Sequence, residues 1–129
     1  MKKHILSVDD EPIIGELLQA VLSSKGYRVS TAARREQASK IIQDDPPQLI
    51  IMDCQIEEGD GFELIEEFKK LVPATPILLL TGFVYDQQVV RDTIEKKADS
   101  YLDKTVALSR IVSEIQRLVG DPQDELISA

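Results

Sequence analysis

Acidic side chains directly follow two apolar runs of the sequence, and a hydroxyl and an ammonium group follow two others. Asp9 and Asp10 come after the first run, and Asp53 comes after the third. Thr81 follows the fourth run, and Lys104 stands two residues after the fifth. Carboxylates can hold a divalent cation, whereas a hydroxyl and an ammonium group can hold the oxygen atoms of an anion. These five residues predict phosphoryl transfer if the fold brings them together.

The carboxylates need an explanation, because Asp9 and Asp53 directly follow apolar runs, where burial would penalise a charge. Two like charges about 4 Å apart repel by about 4 kcal/mol at an effective dielectric constant of about 20. That is large against the ~5–15 kcal/mol of net stability of a domain. Asp10 has a simpler explanation as a helix cap, since Pro12 follows it. For the other two, a divalent cation such as Mg²⁺ or Mn²⁺ would resolve the conflict.

Asp53 is the candidate nucleophile among these carboxylates. In enzymes that form an aspartyl phosphate, one carboxylate attacks phosphorus while neighbouring groups neutralise the charge. Asp53 follows the central predicted strand, between the acidic pair on one side and Thr81 with Lys104 on the other. This order predicts that the acceptor lies between the cation site and the anion-binding groups.

Five short apolar runs alternate with five stretches of helical periodicity, which places these residues at strand ends. The predicted strands are 5–8, 27–31, 49–52, 77–80 and 100–102. The first helix carries apolar residues from Ile14 to Leu22 and stops at Gly26, and the second covers Arg34–Gln43. The others carry Leu64 to Leu71 before Pro73, residues 86–96, and Leu108 to Val119 before Gly120, with a loop over 57–61. This alternation predicts an α/β fold with one doubly wound, five-stranded parallel sheet and five helices, whose ligands bind beyond the carboxyl ends of the strands.

Composition limits the class of protein. The 129 residues suit one domain, predicted over 1–120, with 121–129 as a tail or the start of a linker. A net charge of −8 argues against nucleic acid and against an anionic membrane surface. The single cysteine, Cys54, excludes an internal disulfide and suits the cytoplasm. No apolar stretch approaches the roughly 20 residues that span a bilayer.

Five segments of the chain resemble a known family when they are taken together and in order. They are Ser7–Pro12, Leu49–Asp53, Asp60–Gly61, Pro76–Gly82 and Ala98–Lys104. This pattern is similar to the receiver domain of response regulators in two-component signal transduction, over about residues 3 to 120. The resemblance implies a flavodoxin-like receiver fold with strand order 2-1-3-4-5.

The resemblance also implies roles for the residues of the cation site. Asp10 and Asp53 would bind Mg²⁺ through their carboxylates, and Asp9 would help. The backbone carbonyl of Gln55 would be a further ligand. Asp53 would accept its phosphoryl group from the phosphohistidine of a sensor histidine kinase or a phosphotransfer protein.

The remaining implied roles concern phosphoryl binding and signalling. Thr81 and Lys104 would hold the phosphoryl oxygens, and Tyr101 would change rotamer with Thr81. The signal would leave through the face made by the fourth helix, the fifth strand and the fifth helix, towards an output partner or effector domain that the sequence does not identify. A homodimer through this face is compatible with the resemblance. The chain would be a signalling domain, not an enzyme, although it would assist its own phosphorylation and dephosphorylation.

The sequence departs from the family pattern at three places. Ile56-Glu57 replaces the usual Met-Pro, and Lys97 replaces a glycine that ends the fourth helix. Thr105 replaces the proline after Lys104, which disfavours a cis peptide bond and predicts a looser position for Lys104 or a looser entry to the fifth helix. No departure removes a chemical group from the site.

Other functions are weaker explanations of the same residues. A flavodoxin-like cofactor site needs backbone donors after the first strand, whereas Asp9-Asp10-Glu11 would repel a phosphate. An aspartate phosphatase would carry Asp-x-Asp after its first strand and a cap domain. The alternative that stays open is a degenerate receiver, which binds partners without phosphorylation. His4 lies at the opposite end of the first strand and is interpreted as structural.

Overall fold

A computed structural model of the chain describes residues 2–9, 11–53, 55–56, 59–81 and 98–122, with the backbone alone at 12, 14, 53, 55–56, 59–63 and 81. The predicted fourth helix and Lys97 lie outside the described residues, as do Asp10, Cys54 and Glu57. Four of the five predicted helices fall within the described residues, and all four are present.

A five-stranded parallel sheet forms the centre of the molecule. Its strands are β1 (His4–Val8), β2 (Arg28–Ala32), β3 (Leu49–Asp53), β6 (Ile77–Thr81) and β7 (Ser100–Asp103). They lie in the order β2-β1-β3-β6-β7, and every neighbouring pair is parallel. The predicted order 2-1-3-4-5 is therefore confirmed, because β6 and β7 are the fourth and fifth strands of this sheet.

Helices cover both faces of the sheet. They are α1 (Pro12–Ser24), α2 (Arg35–Asp44), α3 (Gly61–Leu71) and the C-terminal helix (Leu108–Val119). Glycine follows two of them at positive φ, with Gly26 at 103° and Gly120 at 76°. Glycine adopts this left-handed conformation without the steric penalty of a side chain, which explains why these helices end where the sequence predicts.

Three strands extend one residue further into the polar rim than the apolar pattern predicts. Asp53 is paired with Leu80 and Thr81 with Asp103, so parallel pairing continues past the last apolar residue. Backbone hydrogen bonds do not depend on the polarity of the side chain, which is why hydropathy alone ends these strands early. The candidate acceptor is consequently the last residue of β3, held by the sheet.

A small antiparallel ribbon lies in the segment after β3. It pairs β4 (Gln55–Ile56) with β5 (Gly59–Asp60). The loop predicted over 57–61 is therefore wrong at Gly59–Asp60, which form β5, and at Gly61, which begins α3. Two-residue strands are too short to show apolar alternation, so no sequence pattern predicts this ribbon.

The core has two layers, one on each face of the sheet. Along β3, Ile50 and Met52 face one layer while Leu49 and Ile51 face the other, and all four are at most 2% exposed. A strand that is buried on both faces requires apolar residues at every position. The uninterrupted apolar run of β3 therefore follows from its central place in the sheet.

Candidate functional site

The register of the sheet brings the predicted site residues to one edge. Val8 is opposite Met52, so Asp9 and Asp53 follow at neighbouring strand ends. On the other side of β3, Thr81 is the last residue of β6 and is paired with Asp103 of β7. Lys104 comes directly after β7. The structure therefore places the backbones of four of the predicted residues along one carboxyl edge, whereas Asp10 lies outside the described residues.

Asp9 and Lys104 form an ion pair at this edge. The Nζ atom of Lys104 lies 2.9 Å from Oδ2 of Asp9, and the two side chains are 9% and 6% exposed. The backbone N–H of Asp9 donates to the carbonyl of Ala32 at 3.0 Å, which fixes Asp9 between β1 and β2. A pair with so little solvent contact is screened weakly by salt, so the attraction between the two charges is strong.

Glu11 is a second carboxylate partner of Lys104, a contact that the sequence pattern does not predict. Its Oε1 atom lies 3.3 Å from Nζ of Lys104, and its side chain is 65% exposed. Its backbone N–H donates to Oδ1 of Asp9 at 2.8 Å. Aspartate side chains often accept a hydrogen bond from the backbone N–H two residues later. Asp9 at this spacing from Glu11 is therefore a sequence signal for the local turn that brings the two carboxylates together.

The start of α1 is described from Glu11 onwards. The helix begins at Pro12 with Glu11 at the N-cap position, and the side chain of Glu11 makes no capping hydrogen bond. Asp10, for which the sequence allows a capping role, lies outside the described residues. The carboxylate of Glu11 contacts Lys104 instead of the backbone of α1.

Thr105 supplies hydrogen bonds of its own at the position where the family pattern has proline. Its backbone N–H and its hydroxyl both donate to Oδ1 of Asp103 at 2.8 Å. These two hydrogen bonds lower the pKa of the Asp103 carboxyl below its usual range. Thr105 therefore closes the chain on either side of Lys104 into a turn, and the looser position of Lys104 or of the entry to the fifth helix stays a prediction.

Tyr101 lies on β7, the edge strand of the sheet, and is opposite Leu79 of β6. It is 36% exposed, more than any other aromatic side chain among the described residues. Its place two residues before Asp103, which is paired with Thr81, puts both proposed switch residues near one end of the same strand pair. The movement of Tyr101 with Thr81 stays a prediction.

The chemistry of the predicted ligands fits a small divalent cation. Asp9 presents a carboxylate at the carboxyl edge, and the backbones of Asp53 and Gln55 stand at the end of β3 and in β4. These are hard oxygen donors, which Mg²⁺ and Mn²⁺ prefer. Within the part of the chain that the structure describes, no three acidic, histidine or cysteine side chains are grouped closely enough to hold a metal. The ligand set with Asp10 stays a prediction.

Comparisons with known proteins match this fold and this order of residues. The family model described as the response regulator receiver domain matches residues 5–116. A probable transcriptional regulator, ycf27 of Cyanophora paradoxa, is 34% identical over 129 residues, which cover 98% of this chain and 52% of the relative. The chain spans about half the length of the curated relatives that it matches first.

Solved structures agree with these relatives. A CheY-like receiver domain protein from Methanospirillum hungatei superposes with a TM-score of 0.81 at 27% identity, over 91% of this chain and 93% of that one. A response regulator from Burkholderia pseudomallei superposes with a TM-score of 0.76 at 25% identity, over 98% of this chain and 69% of that one. That protein was solved with a phosphorylated aspartic acid, a calcium ion and citrate.

The described helices pack on the faces of the sheet. Within the described residues, no helix is long and apolar enough to cross a membrane. The matched family model covers most of the chain, and the fold and strand order are those of the CheY-like structures. The chain therefore belongs to the response regulator receiver domain family, the signalling domains of two-component systems.

Proposed function

We propose that this receiver domain accepts a phosphoryl group on Asp53 from the phosphohistidine of a sensor histidine kinase or a phosphotransfer protein. The position of Asp53 is the observation that best supports the proposal. Asp53 is the last residue of the central strand β3, which lies between β1 and β6. The Asp9–Lys104 ion pair lies at the same edge. An acceptor in this place has carboxylates on one side and phosphoryl-binding groups on the other.

The transfer is a nucleophilic displacement at phosphorus. A carboxylate oxygen of Asp53 forms the new O–P bond while the N–P bond of phosphohistidine breaks, and the imidazole leaves and takes up a proton from solvent. Lys104 and Thr81 would hold the phosphoryl oxygens. Their charge and hydroxyl dipole stabilise the negative charge that the transition state places on those oxygens.

Asp9, Asp10, Asp53 and the backbone carbonyl of Gln55 are the residues that would hold a divalent cation, Mg²⁺ or Mn²⁺. A cation bound there would neutralise phosphoryl oxygen charge without any proton transfer. The calcium ion in the Burkholderia pseudomallei relative supports a divalent site in this family. The same residues would let the domain assist its own phosphorylation and dephosphorylation.

The phosphorylated state would signal by drawing new charge partners inward. An aspartyl phosphate adds a group of about −1.5 to −2 charge, which would attract Thr81 and Lys104 and let Tyr101 follow. The signal would leave through the face formed by the predicted fourth helix, β7 and the C-terminal helix, to an output domain or partner, and dimerisation could use the same face. We place the receiver over residues 1–120, with 121–129 as a tail or linker, in the cytoplasm.

Intact-mass spectrometry with a small acyl-phosphate donor tests the proposal directly. The protein should gain one phosphoryl group in the presence of Mg²⁺, and chelation of the metal should abolish the gain. The Asp53→Asn variant should remain unmodified because its amide is not a nucleophile for phosphorus. Asp44→Asn is a matched control, since Asp44 is an exposed carboxylate at the end of α2, and it should be phosphorylated like the wild type.

A phosphoryl adduct on Asp53→Asn at the wild-type level would show that the acceptor is another residue. An absence of adduct on the wild type, with Mg²⁺ and donor in excess, would instead favour the degenerate receiver that binds partners without phosphorylation.

A further inference from the structure

Lys104 contacts two carboxylates that differ greatly in their exposure to solvent. Asp9 lies 2.9 Å away and its side chain is 6% exposed, whereas Glu11 lies 3.3 Å away and is 65% exposed. A buried carboxylate and a solvated one differ in how strongly and how reversibly they bind an ammonium group. The buried one provides a strong interaction, and the solvated one provides an interaction that can form and break without a large desolvation penalty.

Short contacts around Asp9 bring these three groups together. Oδ1 of Asp9 accepts the N–H of Glu11 at 2.8 Å, while Oδ2 of the same carboxylate faces Lys104. Glu11 has an extended backbone, with φ −92° and ψ 106°, directly before α1 begins. Its side chain is therefore free of a capping role and reaches Lys104 from the start of the helix.

Asp9 has two competing uses. In the proposed function it helps to hold a divalent cation, but its Oδ2 atom is also the nearer partner of Lys104. A cation at Asp9 and an ammonium group at the same carboxylate repel each other. A cation bound at Asp9 would weaken the attraction between that carboxylate and Lys104, and Glu11 is a second carboxylate within reach of the ammonium group.

From this arrangement we infer that Glu11 is a positioning residue that holds Lys104 at the carboxyl edge when a divalent cation takes the carboxylate of Asp9. The inference rests on the proposed function, because it requires a cation at this edge. It assigns Glu11 no direct contact with the cation. Its effect on cation affinity therefore depends on the presence of Lys104.

A double-mutant cycle on the full chain separates this role from simple charge. The dissociation constant of Mg²⁺ is measured by NMR titration for the wild type, Glu11→Gln, Lys104→Met and the double variant. Glu11→Gln should raise the constant by about three- to fivefold in the wild-type background, the strength of a half-exposed ion pair. In the Lys104→Met background the same change should have an effect of less than about twofold, because no ammonium group needs a second partner.

Glu16→Gln is the matched control, since Glu16 is an exposed glutamate with the same charge on α1, the helix that Glu11 precedes. It should leave the Mg²⁺ dissociation constant unchanged. Lys104→Gln repeats the cycle with a polar side chain in case Lys104→Met fails to fold. The ¹⁵Nζ resonance of Lys104 gives a second readout. It should report an ordered ammonium group in the Mg²⁺-loaded wild type and a more mobile one in Glu11→Gln.

Equal effects of Glu11→Gln in both backgrounds would overturn the inference, because Glu11 would then act through its field or as a ligand. An unchanged dissociation constant in the wild-type background would overturn it as well. Either result leaves the proposed function standing, since the wild type still binds Mg²⁺. A wild type that binds no Mg²⁺ at millimolar concentration would refute both the cation site and the role of Glu11.

Discussion

At the residue scale, Lys104 changes the electrostatic argument that the sequence suggested. The repulsion between strand-end carboxylates pointed to a divalent cation, and Lys104 was assigned to the phosphoryl group. In the structure its ammonium group already neutralises Asp9, at 2.9 Å. Periodicity places both residues at one edge but does not specify which charged groups touch. The pairing depends on side-chain reach and burial, which one sequence does not encode locally.

His4 is a second ionisable residue whose environment the structure defines, at the opposite edge of the sheet. It is fully buried, its Nδ1 lies 3.0 Å from the carbonyl of Asp45, and its Nε2 lies 2.7 Å from the hydroxyl of Ser30. The carbonyl can only accept, so Nδ1–H donates to it, and Nε2 of the neutral ring accepts from Ser30. This confirms the interpretation of His4 as structural.

Burial and the nearby Arg28 lower the pKa of His4 below its ordinary value, although the Asp45 carboxylate 3.7 Å away favours protonation. A histidine with a lowered folded pKa binds fewer protons in the native state than in the unfolded state. Its contribution to stability is therefore complete above the unfolded pKa of about 6.5 and declines as the pH falls towards the folded pKa. The decline is at most about 1.4 kcal/mol per pH unit.

We expect His4→Asn to flatten the dependence of unfolding free energy on pH between about 7.5 and 5.5. Urea unfolding at both pH values measures this slope, even if the variant is less stable throughout. His4 is the only histidine of the sequence, so no other imidazole titrates in this window. A variant that keeps the full wild-type slope would show that another group is responsible.

At the element scale, a buried carboxylate joins β7 to the C-terminal helix. Glu114 is 7% exposed, and its Oε2 accepts from the hydroxyl of Ser100 at 2.6 Å. Its Oε1 accepts from Nε of Arg117 one turn later. These partners, Arg117 before Ser100, lower the pKa of Glu114 below its usual range. Both elements belong to the proposed output face, so this contact fixes how they sit together.

Ser100→Ala should lower the free energy of unfolding by about 1.5–3 kcal/mol, because a buried charged acceptor loses a hydrogen bond. Urea unfolding near neutral pH measures the loss. Ser113→Ala is the matched control: its hydroxyl donates to the carbonyl of Ser109, on an exposed face of the same helix. The control should change stability by less than about 0.5 kcal/mol. Equal losses for both variants would show that the Glu114 contact adds nothing specific.

The elements themselves were largely predictable from sequence, for a physical reason. Burial on both faces imposes continuous apolar runs on β3 and β6, and a one-sided core imposes helical spacing on the C-terminal helix, where Ile111, Val112 and Ile115 are buried. The boundaries were less predictable. Pairing carries Asp53 and Thr81 into strands despite their polarity, and the β4–β5 ribbon has too few residues for any pattern.

At the scale of the whole molecule, the two ends of the domain are joined on the amino edge of the sheet. The N–H of Lys3 donates to the carbonyl of Pro122 at 2.7 Å, and its ammonium group contacts the carbonyl of Val119. The hydroxyl of Tyr27 donates to the carbonyl of Gly120 at 2.5 Å. The packed structure therefore reaches Pro122, two residues beyond the predicted domain boundary. Contacts between residues this distant in sequence do not appear in a local sequence pattern.

This junction predicts that the described domain unfolds as one cooperative unit. Tyr27 is 2% exposed in the core layer that also contains Leu22 and Ile115. Replacing it with phenylalanine keeps the ring and removes one hydrogen bond, so the free energy of unfolding should fall by about 1 kcal/mol. If the end of the C-terminal helix belongs to the same cooperative unit as the sheet, the loss must appear in both places.

Native-state hydrogen exchange of Tyr27→Phe measures that distribution. The slowest amides of β3 and those of the C-terminal helix should lose the same amount of protection free energy, about 1 kcal/mol. Ser113→Ala again serves as the control, with little change at either place. A loss confined to the last turn of the C-terminal helix would mean that this end frays on its own. The junction would then fasten the end of the helix without contributing to the stability of the sheet that carries Asp53.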